Sequence, residues 1–255
     1  MTRIAILLLV ALSILPVFAH AQDTITLEAS GGSFMQLESG ALGYRPADPP
    51  PAAGYPTMVV LHGAGGNAAS GLAPVIAEAS ARSIALVAVK SGGRSWDVFA
   101  GKSPVSGFAS SGPRRLPKGD RKRIEEALAA LAESVPVDPA RTALYGFSDG
   151  ASMALSLGAA DPERFPVVIA FAPGGMIAGK SGEGQRVVIA HGRADRILPF
   201  SAAADTICRA VSRGGRSIRF LAHDGDHVVP RSLLGTALDD FLDPASRPAG
   251  EGCPD

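Results

Sequence analysis

The sequence predicts an α/β protein with a mostly parallel central sheet and helices on both faces. From residue 57 to residue 242, short apolar β-prone runs alternate with runs of helical spacing, the pattern of strands joined by crossover helices. Glycine-rich turns follow several of those strands, and the 255 residues show no internal repeat and suit one domain with a sizeable core.

Residues 22–56 begin with the alternation Thr24-Ile25-Thr26-Leu27-Glu28 and end in the proline-rich turn 46–56, which reads as one or two antiparallel edge strands and a connector. Thr57 to Leu61 reads as a buried strand, followed at once by His62-Gly63-Ala64-Gly65-Gly66-Asn67. A helix is expected from about Ala69 to Ala81, then a strand from Ile84 to Val89. Residues 90–119 form a long Gly/Ser/Pro-rich segment with the only tryptophan, Trp96, and loops of that length are usually functional or disordered. Asp120 is a plausible N-cap for a helix whose apolar positions are Ile124, Leu128 and Leu131 and which stops before Pro136. Its first turn carries Arg121, Lys122 and Arg123, where the helix dipole disfavours positive charge; with Arg114, Arg115 and Lys118 these form a basic patch, read as solvated surface with Glu125 and Glu126 nearby. Then come a strand from Thr142 to Tyr145, a small-residue helix from Ala151 to Ala159, and strands from Val167 to Phe171 and Val187 to Ala190. A helix from Ala202 to Ser212, a strand from Ser217 to Leu221 and a helix from Arg231 to Leu242 complete the pattern.

The ends of the chain read differently. Arg3 precedes the apolar stretch from Ile4, and Ala19-His20-Ala21 precedes Gln22, the pattern of a cleavable secretory signal over residues 1–21, with an uncleaved anchor as the alternative. The expected layout is therefore a signal at 1–21, a catalytic domain at 22–243 and a polar tail at 244–255, in a periplasmic or extracellular protein with no stable membrane insertion after cleavage. Lys and Arg total 24 and so do Asp and Glu, so no global field attracts nucleic acid. The two cysteines, Cys208 and Cys253, fit no metal site; export permits a bridge between them, and two free thiols remain the alternative.

The stretch that carries chemistry is Gly146-Phe147-Ser148-Asp149-Gly150, between a predicted strand and a predicted helix. Small neighbours let the backbone bend sharply enough to project the hydroxyl clear of the sheet. With 23 serines and 30 glycines, chance supplies about 0.3 such matches, so the motif needs its partners. A serine hydroxyl is a poor nucleophile unless a base takes its proton and a third group orients that base. His227, in the loop before the last helix, is the candidate base, with His223 in reserve; His62 and His191 sit in His-Gly turns and brace loops. Asp195, after a buried strand and between serine and histidine in chain order, is the candidate acid, because Asp161 and Asp205 belong to helices and Asp224 and Asp226 crowd the histidine. Backbone N–H groups of Asp149 and Ala64, with Gly65 as second choice, are the candidate oxyanion donors. Residues 90–119, Trp96 foremost, are the expected source of substrate-pocket walls.

These elements, in this order, resemble the α/β-hydrolase fold. More narrowly, Trp96-Asp97, Val137-Asp138-Pro139-Ala140-Arg141, the run Gly146 to Ser152, Phe171-Ala172-Pro173-Gly174 and His227-Val228-Val229-Pro230 resemble bacterial serine esterases of the phospholipase/carboxylesterase type, and less closely polyhydroxybutyrate depolymerases and feruloyl esterases. The resemblance implies hydrolysis of carboxylic esters, small or polymer-linked, without metal or cofactor. A peptidase or amidase on the same fold, and a secreted binding protein that keeps the fold without turnover, are the alternatives. Related hydrolases often carry a cap between the strands after the elbow. Here only residues 173–186 separate them, so no large cap domain is expected and the site should be open. The sequence leaves the oligomeric state open.

Overall fold

The computed structural model describes residues 31–99, 108–109, 116–177, 179–243 and 252–254. The signal reading at 1–21, the alternation at 24–28, Arg114, Arg115 and most of the 244–255 tail lie outside them. Eight strands form one open sheet in the order β1-β2-β4-β3-β6-β7-β9-β10: β1 (Ser33–Gln36), β2 (Leu42–Arg45), β3 (Tyr55–Leu61), β4 (Ala85–Val89), β6 (Val137–Phe147), β7 (Val167–Phe171), β9 (Arg186–Gly192) and β10 (Ser217–His223). The pairs β1/β2 and β2/β4 are antiparallel, giving the expected edge, and every pair from β4 through β10 is parallel. A small parallel pair, β5 (Phe108–Ala109) with β8 (Gly175–Met176), stands apart.

Strand side chains alternate between two cores, as the period of two requires. Val59, Leu61, Leu144 and Ile189 face α3 (Gly119–Ser134), α4 (Asp149–Ala160) and α5 (Arg209–Arg213); Met58, Val60, Tyr145 and Phe171 face α1 (Ala68–Leu72), α2 (Ile76–Ser80) and α6 (Arg231–Leu242). Helices thus cover both faces. Leu61, Leu144 and Ile189 are fully buried, and truncating such residues to alanine costs about 2–5 kcal/mol each.

Three expectations about helices need correction. The helix expected over 69–81 is two short ones, because Pro74 has no N–H to donate and its ring obstructs the carbonyl one turn back. A capping box in which Asn67 accepts from Ser70 N (2.9 Å) and Ser70 Oγ accepts from Asn67 N (2.8 Å) starts the first of them. The helix expected over 202–212 is π-helical over Ala202–Cys208 and becomes α5 afterwards. In α3, Lys118 rather than Asp120 occupies the N-cap and caps nothing; the Asp120 carboxylate is drawn to another segment, described below. The basic run is locally neutralised, Arg121 by Glu125 (2.8 Å) and Lys122 by Glu126 (3.3 Å), as expected of a solvated surface.

Parallel register brings the carboxyl ends of the strands to one edge. Leu61 pairs with Gly146, Phe147 with Phe171, Phe171 with Ala190, and Ala190 with Leu221. The loops after β3, β6, β9 and β10 all leave the sheet there. Among the described residues no cap follows β7, and no helix is long and apolar enough to cross a membrane. Cys208 and Cys253 are disulfide-bonded, which ties residues 252–254 to the core beside α5.

Candidate active site

Ser148 stands between β6 and α4 with φ 56° and ψ −119°, a conformation that costs a residue with a Cβ on the order of 1–3 kcal/mol. The surroundings enforce it. Ser148 N donates to Phe171 O (2.9 Å), and the two flanking glycines are places where chain meets chain. A Cβ on Gly146 would lie 2.2 Å from Gly150 O, and one on Gly150 would lie 2.1 Å from Leu61 O. No side chain fits at either position, which is the physical content of the glycine-x-serine-x-glycine pattern.

The candidate acid and base come from loops bonded to each other. Arg193 N donates to His223 O (2.7 Å), Ala194 N to Gly225 O (3.2 Å), and Asp226 Oδ1 accepts from both Arg196 N (3.1 Å) and His227 N (2.8 Å). Across this zipper His227 Nδ1 sits 2.7 Å from Asp195 Oδ2. Asp195 Oδ1 accepts from Ile197 N (2.9 Å) and Leu198 N (2.8 Å), so both oxygens are held. Burial pushes the Asp195 carboxyl up, but the hydrogen bonds from Leu198, His227 and Ile197 together outweigh it and hold the group below the usual carboxylate range. An ionised Asp195 fixes the proton of His227 on Nδ1 and leaves the Nε2 lone pair open. The His227 ring centroid lies 4.8 Å from that of Phe147, the residue before the serine, so base and elbow are neighbours. Among the described residues the Ser148 hydroxyl makes no hydrogen bond in this conformation; catalytic contacts of this kind commonly tighten only with substrate bound.

The remaining histidines have other tasks. His223, the reserve candidate, has its Nδ1 occupied as acceptor from Gly225 N (3.1 Å). His62 Nε2 accepts from Ser91 N (3.1 Å) while Nδ1 meets Gly63 O (2.7 Å), and burial lowers its pKa. His191, fully buried, points Nε2 at Leu198 O (2.8 Å) and 3.2 Å from Asp195 Oδ2, a second imidazole against the acid. Its place on the strand end before Asp195 could have suggested this contact; the distance could not be read from sequence.

In the glycine loop, Gly65 N donates to Arg94 O (2.7 Å), so the second-choice oxyanion donor is already committed and Ala64 remains. Trp96 is also corrected. Only 1% of it is exposed, and its indole N–H donates to His62 O (2.8 Å), so it braces the loop instead of offering a face to substrate. It borders a cavity of about 490 Å³ with Ser95, Asp97, Asp120 and Arg123, but that cavity's lining includes none of Ser148, Asp195 and His227. Beside the acid and base stand Ile197 and Val228, the two large hydrophobic side chains that are exposed among the described residues. Those residues also contain no cluster of His, Cys, Asp and Glu able to hold a metal.

The family model for Esterase matches residues 35–195, well over half of the chain. The chain belongs to the Esterase family. This esterase is accordingly a carboxylic-ester hydrolase, and solved structures agree with it on fold. FphF of Staphylococcus aureus, a fluorophosphonate-binding serine hydrolase, superposes with a TM-score of 0.60 at 12% identity, over 83% of this chain and 99% of that one. The Bacillus cereus carboxylesterase gives 0.57 at 18% identity, over 79% and 92%. The S-formylglutathione hydrolase of Agrobacterium tumefaciens gives 0.55 at 17%, over 83% and 94%. No curated protein matches the sequence.

Proposed function

We propose that the esterase cleaves its substrate through an acyl-enzyme formed on Ser148, with His227 as base and Asp195 as the acid that orients it. The observation that carries this reading is the 2.7 Å contact of His227 Nδ1 with a doubly anchored Asp195, beside a strained serine elbow. Ser148 Oγ attacks the ester carbonyl carbon as its proton passes to His227 Nε2, and Asp195 stabilises the imidazolium that results. The carbonyl oxygen becomes an oxyanion between the N–H groups of Ala64 and Asp149. The tetrahedral species collapses, the alcohol leaves with the proton from His227, and water activated by the same ring releases the acid.

A site flanked by Ile197 and Val228, with no cap after β7 among the described residues, suits short or medium acyl esters, or esters projecting from a larger molecule. The proposed compartment is the periplasm or the exterior, with residues 22–243 as catalytic domain and 244–255 as a tail; the Cys208–Cys253 bridge supports it, because such bonds persist in oxidising surroundings. Labelling with a fluorophosphonate, followed by turnover of a chain-length series of p-nitrophenyl esters, tests the reading. Wild type should carry the label on Ser148 and Ser148→Ala should carry none. Equal labelling of the two proteins would remove Ser148 as nucleophile.

A further inference from the structure

Three consecutive residues after β4 each reach one part of the proposed oxyanion hole. Arg94 O accepts from Gly65 N (2.7 Å), which pins the loop that carries Ala64. The Ser95 hydroxyl donates to Asp149 Oδ2, on the residue whose N–H is the other donor. Trp96 Nε1 donates to His62 O (2.8 Å) where the glycine loop begins, and its ring lies 4.9 Å from the His62 ring. The run is fastened on both sides by Asp120, buried at 3% exposure: Oδ1 accepts from Gly92 N and Oδ2 from Asp97 N, each at 2.7 Å, while Asp97 Oδ2 accepts from Asp120 N at 3.0 Å.

The two donors sit on different elements, which touch at Gly150 and the end of β3 but place the two N–H groups beyond that contact. Asp149 begins α4 directly after β6, and Ala64 lies three residues beyond the end of β3 in a loop that has left the sheet. Pairing of β3 with β6 ends at Leu61 and Gly146, so the ladder does not set the spacing of the two N–H groups. Oxyanion donors act in proportion to how well they are preplaced, and misplacement by about 1 Å can cost on the order of 10² in rate. A segment bonded to both supports removes that freedom.

We propose that Arg94-Ser95-Trp96 is a strap that sets the spacing of the two oxyanion donors, with Ser95 as its positioning residue. The proposal rests on Ser148 as nucleophile and on Ala64 and Asp149 as donors. Arg94 and Trp96 grip the glycine loop, and the Ser95 hydroxyl is the bond that crosses to the elbow. Ser95 touches no reacting atom and acts through Asp149. Burial of Asp149 (4% exposed) makes the bond matter, since leaving a buried carboxylate oxygen without its donor incurs the full cost of its desolvation.

The test uses the full-length esterase, first shown to carry fluorophosphonate on Ser148 and to turn over a p-nitrophenyl ester. Ser95→Ala should lower kcat by about tenfold, less than outright loss of a donor, with KM within about twofold. Binding of an alkylboronic acid, whose serine adduct puts an oxygen in the hole, should weaken by a similar factor. Ser95→Thr, which keeps the hydroxyl, should restore most of both. Should Ser95→Ala fail to fold, Trp96→Phe, which removes the indole N–H, is held to the same split between kcat and KM. Unchanged kcat and boronate affinity in a folded variant overturn the strap alone, and so does a loss that tracks a fallen Tm and is not rescued by threonine. A wild type that labels nowhere overturns the Ser148 reading and the strap with it.

Discussion

The two sides of the site share one means of construction and differ in a second. On the nucleophile side, position comes from the absence of side chains: Gly146 and Gly150 let β6, α4 and the end of β3 approach until a single methyl group would collide with backbone at 2.1–2.2 Å. On the acid–base side a glycine also lets chain meet chain, since a Cβ on Gly192 would lie 2.2 Å from Gly225 O, but Asp195 and His227 themselves are set by hydrogen bonds between the two loops. Both sides are therefore sensitive to adding a methyl group at a glycine, and the second is sensitive as well to removing a charge or an acceptor.

The sharpest separation comes from Asp195→Asn. It keeps the volume but removes the charge and the preference for a proton on His227 Nδ1, so kcat should fall by about 10³- to 10⁴-fold while Tm changes little. A variant within tenfold of wild type would mean that the 2.7 Å contact is not the one that matters. Gly150→Ala should behave inversely. Its Cβ would meet Leu61 O at 2.1 Å and His62 O at 2.5 Å, both backbone atoms that cannot swing aside. Overpacking of that kind costs about 3 kcal/mol or more, and Tm should drop by about 10 °C. An unshifted melting curve would break the account of the elbow. The smallest effect is on pH. Burial lowers the pKa of His62, His191 and His223, so below about 6.5 the unfolded chain binds protons that the folded one refuses. Stability should therefore fall as pH drops from 7.5 to 5.5, with a slope of up to about 1.4 kcal/mol per pH unit for each of the two most buried rings. Urea midpoints at the two pH values measure it, and a midpoint that rises on acidification would contradict the sign.

Much of the fold was readable because its signal is periodic. The strand from Val167 to Phe171 and the helix from Arg231 to Leu242 have the expected bounds, since alternation and helical spacing both stop at turn residues. Chain order and strand ends restrict the choice of candidate nucleophile, base and acid, and the loops bring the candidates Asp195 and His227 together. The break at Pro74 was available in the sequence and outweighed by the apolar run around it. What the sequence hides is the long-range bond between one side chain and a distant backbone. Asp120 looks like a cap, yet its carboxylate holds Gly92 and Asp97; Trp96 looks like a pocket wall, yet it holds His62. Such pairs, more than 20 residues apart, leave no periodic trace. The π-helical turn at 202–208 is hidden for a related reason, because one extra residue per turn barely alters the apolar spacing.

Helix α4 has a consequence of its own. All eleven residues from Asp149 to Ala159 are buried, so the helix that follows Ser148 has no wet face and no route to local fraying at its N-terminal end. Its amides should exchange with deuterium only when the whole molecule opens, whereas those of residues 193–199 and 224–230 can exchange through brief local openings. The lifetime of the elbow is then the lifetime of the fold, while the imidazole beside it can leave and return many times within one such interval.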